Sequence, residues 1–150
     1  MSLYNVEAAR TPEQLEKMRQ LEDEGICVFC LEYFAQYHTE PICMDGQYWY
    51  VTKNDYPYQG ALVHLLIVAK EHVTAITEMP TEAGSELFAM LATLRQAHQA
   101  SSEAIVARSG DMRFNAGSVE HLHIHYVIGN PALAESSPVR FKLSSAPKNN

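Results

Sequence analysis

The chain is poor in positive charge. Its 150 residues include 11 lysines and arginines against 18 aspartates and glutamates, which gives a net charge of −7 at pH 7. A surface with that balance does not capture DNA, RNA or an anionic membrane by long-range attraction, so we expect no nucleic-acid or membrane partner. A phosphate-bearing ligand would have to be held by local donors against the mean field of the protein.

Long apolar runs, a basic leader and abundant cysteine are also missing. The longest apolar run, Ala61 to Ala69, contains His64 and is too short to cross a bilayer. The first residues do not place a basic region before an apolar one. The three cysteines cannot all pair within the chain. These features predict a reduced, cytoplasmic protein.

Two helices carry clear signals. Thr11 supplies an N-cap, Pro12 suits the first helical position and Gly25 suits the end of the first helix. The apolar spacing predicts a long helix over 81–101, and a shorter helical segment over 31–38.

Runs of aromatic and β-branched residues predict strands over 48–52, 64–69, 105–108, 112–115 and 139–143. The length and the 47% hydrophobic content indicate one soluble domain over residues 1–150. The element order predicts an α+β fold, a mainly antiparallel sheet of about five strands with an N-terminal helix and one long helix packed on it.

The most informative segment runs from His121 to Val127, with histidine at every second position. The intervening Leu122, Ile124 and Tyr126 favour a strand, in which residues two apart point to the same face. We therefore predict that three imidazoles share one face and the apolar side chains the other. A solvent-facing strand would more naturally use threonine, lysine or glutamate, so the pattern indicates function.

Two chemistries fit such a face. Two histidines at i and i+2 can share one zinc ion, as in several zinc enzymes. Alternatively, a neutral imidazole attacks phosphorus while a neighbouring ring stabilises the developing anion, which suits nucleotidyl transfer.

The segment resembles the histidine triad (HIT) family of nucleotide hydrolases and transferases. Other family markers occur in order: Cys27-x-x-Cys30, Asn54-x-Tyr56-Pro57-Tyr58, Lys70-Glu71-His72 and Asn115 to Glu120. The resemblance covers a core of about residues 25–130 and leaves 131–150 as a partly irregular tail. It implies a HIT-like fold and a homodimer.

The resemblance also implies residue roles. His123 would be the nucleophile that forms a covalent nucleotidyl-histidine at an α-phosphate, and His125 would hydrogen-bond the phosphate or relay a proton. Ser118 and Asn115 match positions near the phosphates. Asn54 matches a ribose contact, with Asp55 as the adjacent alternative. These positions make up the predicted substrate site, and His121 completes the predicted catalytic triad.

Cys27 and Cys30 have the spacing of half a tetrahedral zinc site. A redox pair and a buried pair of small hydrophobes are the competing interpretations. Some members of the family that this chain resembles bind a structural zinc ion through such a cysteine pair and two histidines. The resemblance implies that His72 and His121 are the other two ligands here. His64 is an alternative ligand or a core histidine, while His38 and His98 are interpreted as surface residues.

The leading hypothesis is therefore a hydrolase or transferase that cleaves a phosphoanhydride or phosphoramidate bond of a dinucleoside polyphosphate or nucleotidyl-amine. The alternatives are a metal-dependent hydrolase that binds zinc through triad histidines, and a catalytically weak nucleotide sensor. Gly117 stands where relatives usually have a glutamine, which predicts slower hydrolysis or a different leaving group.

Overall fold

A computed structural model describes residues 2–147, so residues 148–150 of the predicted tail lie outside the described residues. Helices are α1 (Pro12–Glu24), α2 (Leu31–Tyr37), α3 (Thr81–Ala97) and the short α4 (Met112–Asn115). Strands are β1 (Ile42–Asp45), β2 (Trp49–Lys53), β3 (Ala61–Ala69), β4 (Ala104–Ala107) and β5 (His123–Gly129). All five strands form one antiparallel sheet in the order β1-β2-β3-β5-β4. The α+β fold is confirmed.

Helix α1 begins and ends where the sequence predicts. The Thr11 hydroxyl accepts a hydrogen bond from the Gln14 amide at 3.1 Å, and Pro12 occupies the first turn. Gly25 ends the helix with φ of 66°, a left-handed conformation that glycine adopts without steric cost.

The two faces of the sheet bury different sets of side chains. On one face Leu122, Ile124 and Tyr126 pack in a core with residues of α3. On the other face His123 lies beside Val68 and His125 beside Leu66 in the β3–β5 register. The second core cluster, which includes residues of α1 and α2, covers this other face. The alternation of β5 therefore separates the histidines from the apolar residues as predicted.

Two predicted strands are wrong. Residues 112–115 form α4 because the Asp111 side chain accepts from the Arg113 amide and caps a helical turn. Residues 139–143 have no regular secondary structure and do not pair with the sheet; within this segment Phe141 contacts Tyr58 and Arg108. The long helix ends at Ala97, four residues earlier than predicted, where His98 caps it.

Strands β3 and β5 each depart from the sequence pattern near their first residues. Strand β5 begins at His123, so His121 precedes the strand. The β3–β5 register shifts between Ala61 and Val63, which leaves Leu62 as an extra residue, 62% exposed. A bulge of this kind absorbs an extra residue and preserves the pairing on both sides. No helix within residues 2–147 is long and apolar enough to span a membrane.

Candidate active site and metal cluster

A cleft of about 880 Å³ opens on the face of the sheet away from α3. His123, His125, Asn54, Asp55 and Ser118 line it, as the sequence analysis predicts for a substrate site. His121 and Asn115 are not among the lining residues. The structure thus brings together five of the seven predicted catalytic and substrate-binding positions.

His123 presents one ring nitrogen to this cleft. Its Nδ1 lies 2.7 Å from the carbonyl oxygen of His121. A carbonyl can only accept, so the proton is on Nδ1 and the lone pair is on Nε2. Within the described chain Nε2 has no hydrogen-bond partner, yet it is not one of the buried unpartnered atoms. The nitrogen that carries the lone pair therefore reaches the cleft.

A chain of hydrogen bonds fixes the proton on His125. The Tyr58 amide donates to His64 Nδ1 at 3.0 Å, so the proton of a neutral His64 is on Nε2. That nitrogen lies 2.9 Å from His125 Nδ1 and donates to it. His125 therefore carries its own proton on Nε2, where it faces the cleft as a donor.

Burial keeps these rings neutral at pH 7. Burial lowers the pKa of His123 to about 4, partly opposed by its hydrogen bond to the His121 carbonyl. Burial also lowers the pKa of His64 to about 4, with a further contribution from the charge of Arg10. The pKa of His125 is lowered well below its usual value by burial and by its charged and imidazole neighbours. Neutral His123 is the form that can attack an electrophile.

Cations gather around the histidines despite the net charge of the protein. Arg108 Nη1 lies 3.3 Å from His125 Nε2, and its Nη2 donates to the Lys142 carbonyl at 2.8 Å. Arg10 lies over the ring of Tyr58, 4.2 Å from its centre, and donates to the Tyr56 carbonyl. The lysines and arginines that line the cleft are Arg10, Lys17, Arg108, Arg113, Arg140 and Lys142.

Asn54 and Asp55 differ in how many hydrogen-bonding groups of the side chain remain free for a ligand. Asn54 Oδ1 accepts from the Tyr56 amide at 2.9 Å, which leaves the amide hydrogens near His64 Nε2, itself a donor. The Asp55 carboxylate accepts from the amides of Thr39 and Glu40, at 3.0–3.3 Å, and also contacts Lys17 and His38 at 3.4 Å. Asp55 is therefore engaged by the protein, whereas Asn54 has donors to spare.

The prediction that His38 lies on the surface is wrong. The side chain is 3% exposed, and its ring stacks on Phe34 with 4.6 Å between centres. Its Nε2 lies 3.0 Å from the Lys53 carbonyl and its Nδ1 faces Asp55. His38 thus supports the segment that carries Asn54, while His98 is exposed as predicted.

The loop before the triad holds Asn115 away from the cleft. Asn115 Oδ1 accepts from the Gly117 amide at 2.9 Å, and its Nδ2 points to the carbonyls of Ser109 and Gly110 at 3.4 Å. A Cβ at Gly117 would lie 2.8 Å from Asn115 Oδ1 and 3.2 Å from the Cβ of Met112. The loop is therefore closed around a glycine, and a glutamine there would displace its neighbours.

Cys27, Cys30, His72 and His121 lie together beside the cleft. Their sulfur and nitrogen atoms are all within 4.8 Å of one another, and they form the one such His/Cys/Asp/Glu cluster within residues 2–147. Cys27 Sγ is 3.4 Å from His121 Nδ1, and Cys30 Sγ is 3.2 Å from His72 Nδ1. Ligands of a tetrahedral zinc ion are separated by about 3.3–3.8 Å, so these four residues fit the metal.

His121 connects that cluster to His123. Its ring is fully buried, and Nε2 donates to the Ala69 carbonyl at 2.7 Å, which leaves Nδ1 as the ligand atom. Its own carbonyl accepts the proton of His123. His121 thus belongs to the Cys/His cluster, and only two triad histidines line the cleft. His64, the alternative ligand, bonds to His125 and is not in the cluster.

Sequence reasoning missed the cationic and aromatic residues beside His125. Arg10 and Arg108 lie in segments without a motif, and Phe141 of the irregular tail contacts His125, with 5.1 Å between the ring centres. The one available signal for His64 was its place at the start of the apolar strand that pairs with the histidine strand.

Comparisons with solved structures find the same fold. A histidine triad protein from Clostridium difficile has a TM-score of 0.55 at 18% identity, over 69% of this chain and 90% of the other. A HIT family hydrolase from Clostridium thermocellum has a TM-score of 0.52 at 24% identity, over 69% and 90%. A histidine triad nucleotide-binding protein from Candida albicans has a TM-score of 0.56 at 15% identity, over 82% and 86%.

Sequence comparisons assign the family. The search of curated proteins found no match. The model of the HIT domain matches residues 48–132, which include strands β2 to β5, helix α3 and all three triad histidines. With more than half of the chain matched, this protein belongs to the histidine triad family.

Proposed function

We propose that this protein is a nucleotide hydrolase or nucleotidyl transferase that cleaves a phosphoanhydride or phosphoramidate bond at an α-phosphate through His123. The observation that carries the proposal is the 2.7 Å contact between His123 Nδ1 and the His121 carbonyl. It holds the neutral tautomer that attacks through Nε2, on the side open to the cleft.

The proposed reaction has two steps. His123 Nε2 forms a bond to the α-phosphorus, the bond from phosphorus to the leaving oxygen or nitrogen breaks, and the leaving group keeps the electron pair. A leaving nitrogen also takes up a proton from water, so that it departs as an amine. Water, or another acceptor in transfer, then attacks the same phosphorus, loses a proton and releases the nucleoside monophosphate unit from His123. His125 Nε2–H donates to a phosphate oxygen in both steps and stabilises the developing charge.

Neighbouring residues would hold the nucleotide. We assign the ribose contact to Asn54, because its amide hydrogens have no acceptor nearby while the Asp55 carboxylate is already engaged. Ser118 lines the cleft and supports the predicted phosphate contact. Asn115 supports the loop, so its predicted phosphate contact is the weakest of the set.

Cys27, Cys30, His72 and His121 would hold a structural zinc ion with all four positions filled by protein. Bound zinc would supply a rigid crosslink between the segments that carry these four residues. The chain's own contribution is the His121 carbonyl, which keeps the tautomer and the orientation of His123.

The metal-hydrolase alternative receives no support from the cluster, because only one triad histidine belongs to it in the described part of the chain. The sensor alternative predicts nucleotide binding without a covalent intermediate. The proposal also places the enzyme in the cytoplasm, where the free thiols of Cys27 and Cys30 remain reduced.

A quenched reaction tests the proposal. A labelled dinucleoside polyphosphate and an adenosine phosphoramidate are mixed with the protein and stopped in base, because the phosphorus–nitrogen bond of a nucleotidyl-histidine is labile in acid. We expect label on His123 and none in His123→Gln, whose folding is checked by circular dichroism. Turnover by His123→Gln at the rate of the unmodified protein would refute the nucleophile. Binding without adduct or product would favour the sensor.

A homodimer is part of the proposal. β4 is an edge strand of the sheet, and Ile105 of β4 and Phe88 of α3 are exposed (45% and 74%), which leaves apolar side chains uncovered in the single chain. Sedimentation equilibrium should give twice the mass of 16.8 kDa, and a monomer at micromolar concentration would contradict this assignment.

A further inference from the structure

The cleft holds two guanidinium groups that the reaction at His123 does not by itself explain. Arg10 and Arg108 take part in none of the carboxylate ion pairs formed within residues 2–147. Their hydrogen bonds go to backbone carbonyls, which neutralise no charge. Two uncompensated cations in a cleft indicate an anionic ligand of matching charge.

Arg108 and His125 face each other as donors. The hydrogen bonds from Tyr58 through His64 place the His125 proton on Nε2, and Arg108 Nη1 lies 3.3 Å from that nitrogen. A guanidinium has no acceptor, so the two groups cannot satisfy each other. One phosphate oxygen beside them would accept from both. In addition, Arg108 Nε is buried without a partner.

Arg10 stands one step further from the nucleophile. Ring centres of His123 and His125 are 5.0 Å apart, Tyr58 stacks on His125 at 5.6 Å, and the Arg10 guanidinium lies 4.2 Å from the Tyr58 ring. Arg108, in contrast, follows β4 directly beside β5 and contacts His125 itself. Arg108 therefore contacts a triad histidine directly, whereas Arg10 contacts Tyr58, which in turn stacks on His125.

We infer that Arg108 binds the reacting α-phosphate and Arg10 binds a second phosphate in the leaving group, so that the substrate class is nucleoside 5′-polyphosphates. The inference rests on the proposed function and selects among its substrates. A phosphoramidate places one negative charge in the cleft, whereas a polyphosphate chain supplies a charge for each guanidinium. When the bond from the α-phosphorus to the bridging oxygen breaks, the departing phosphate keeps the electron pair and is stable as an anion beside Arg10.

Equilibrium binding separates the two arginines without requiring turnover. We would titrate adenosine mono- and diphosphate into the unmodified protein, Arg10→Gln, Arg108→Gln and the control Arg19→Gln. Arg19 is exposed on α1 and does not line the cleft, so the control removes the same charge elsewhere. Arg10→Gln should weaken diphosphate binding about 10- to 100-fold, the loss of one charge-assisted hydrogen bond, and change monophosphate binding by less than about 3-fold. Arg108→Gln should weaken both, and Arg19→Gln neither.

Turnover then gives a second, independent readout. Arg10→Gln should lower kcat/KM for a dinucleoside polyphosphate at least about 10-fold more than for adenosine phosphoramidate, and Arg10→Lys should recover part of the loss. Equal loss of mono- and diphosphate binding in Arg10→Gln, or no preference for diphosphate in the unmodified protein, would overturn the inference. Absence of label on His123 together with the Arg10-dependent diphosphate preference would instead refute the nucleophile and leave the second phosphate site standing.

Discussion

Acid should destabilise this protein through His64, and the sign follows from its environment. Burial lowers the pKa of the folded His64 from 6.5 to about 4, so the unfolded chain takes up a proton that the folded protein refuses. Stability is unaffected above the pKa of the unfolded histidine, falls as the pH drops through 6.5, and continues to fall until about 4. His125 adds in the same direction, because burial lowers its pKa as well.

The size of the effect follows from linkage. With pKa values of 6.5 and about 4 in the two states, His64 alone removes about 2 kcal/mol of stability at pH 5 and almost none at pH 7. A domain of this size is stable by about 5–15 kcal/mol, so this one ring accounts for a measurable share. His64→Gln keeps hydrogen-bonding atoms near Tyr58 and removes the titration.

Urea unfolding at pH 7 and pH 5 measures the difference. Trp49 is the only tryptophan and is 1% exposed, so its fluorescence reports unfolding without a label. We expect the loss of stability between the two pH values to be about 2 kcal/mol smaller in His64→Gln than in the unmodified protein. Equal losses in the two proteins, or a gain in stability on acidification, would refute the assignment of a buried neutral ring.

Three further predictions concern the loop, the metal cluster and the ribose contact. Gly117→Gln should lower Tm by several degrees without faster turnover, since a side chain there meets Asn115 Oδ1 at 2.8 Å; faster turnover at unchanged Tm would contradict this. Cys27→Ser should abolish stoichiometric zinc in elemental analysis and lower Tm, while label still appears on His123 in the folded fraction; retained zinc would exclude this ligand set. Asp55→Asn should cost about 1–3 kcal/mol of stability and leave nucleotide affinity within about 3-fold. Asn54→Ala should instead weaken nucleotide binding and have the smaller effect on stability. Weaker binding in Asp55→Asn with unchanged binding in Asn54→Ala would exchange their roles.

Local signals in the sequence were enough for most of the fold. The Thr11 cap, the Gly25 stop and the period of two in β5 each depend on neighbouring residues alone, and the structure has all three. The strand prediction for residues 139–143 was wrong because aromatic and β-branched residues favour a strand only when a neighbouring strand is free to pair. Phe141 instead contacts Arg108 and the rings around His125.

The candidate site was predictable only as far as its motifs extend. The Cys/His cluster was predicted from the resemblance, and its four members do lie together. The bonds that set the tautomers could not be foreseen, because the Tyr58 amide and the His121 carbonyl belong to the backbone and have no sequence signature. The position of Arg10 could not be predicted either, because its contact with Tyr58 depends on how the segment before α1 packs on that ring.

The division of labour between the two faces of β5 has a consequence for mutational scanning. Even-numbered positions from Leu122 to Tyr126 fill the core under α3, while His123 and His125 open on the cleft. A systematic substitution series along this segment should give a sawtooth of period two. Substitutions at the even-numbered positions would lower the melting temperature and change the catalytic rate little. Substitutions at the two histidines would lower the catalytic rate and change the melting temperature little.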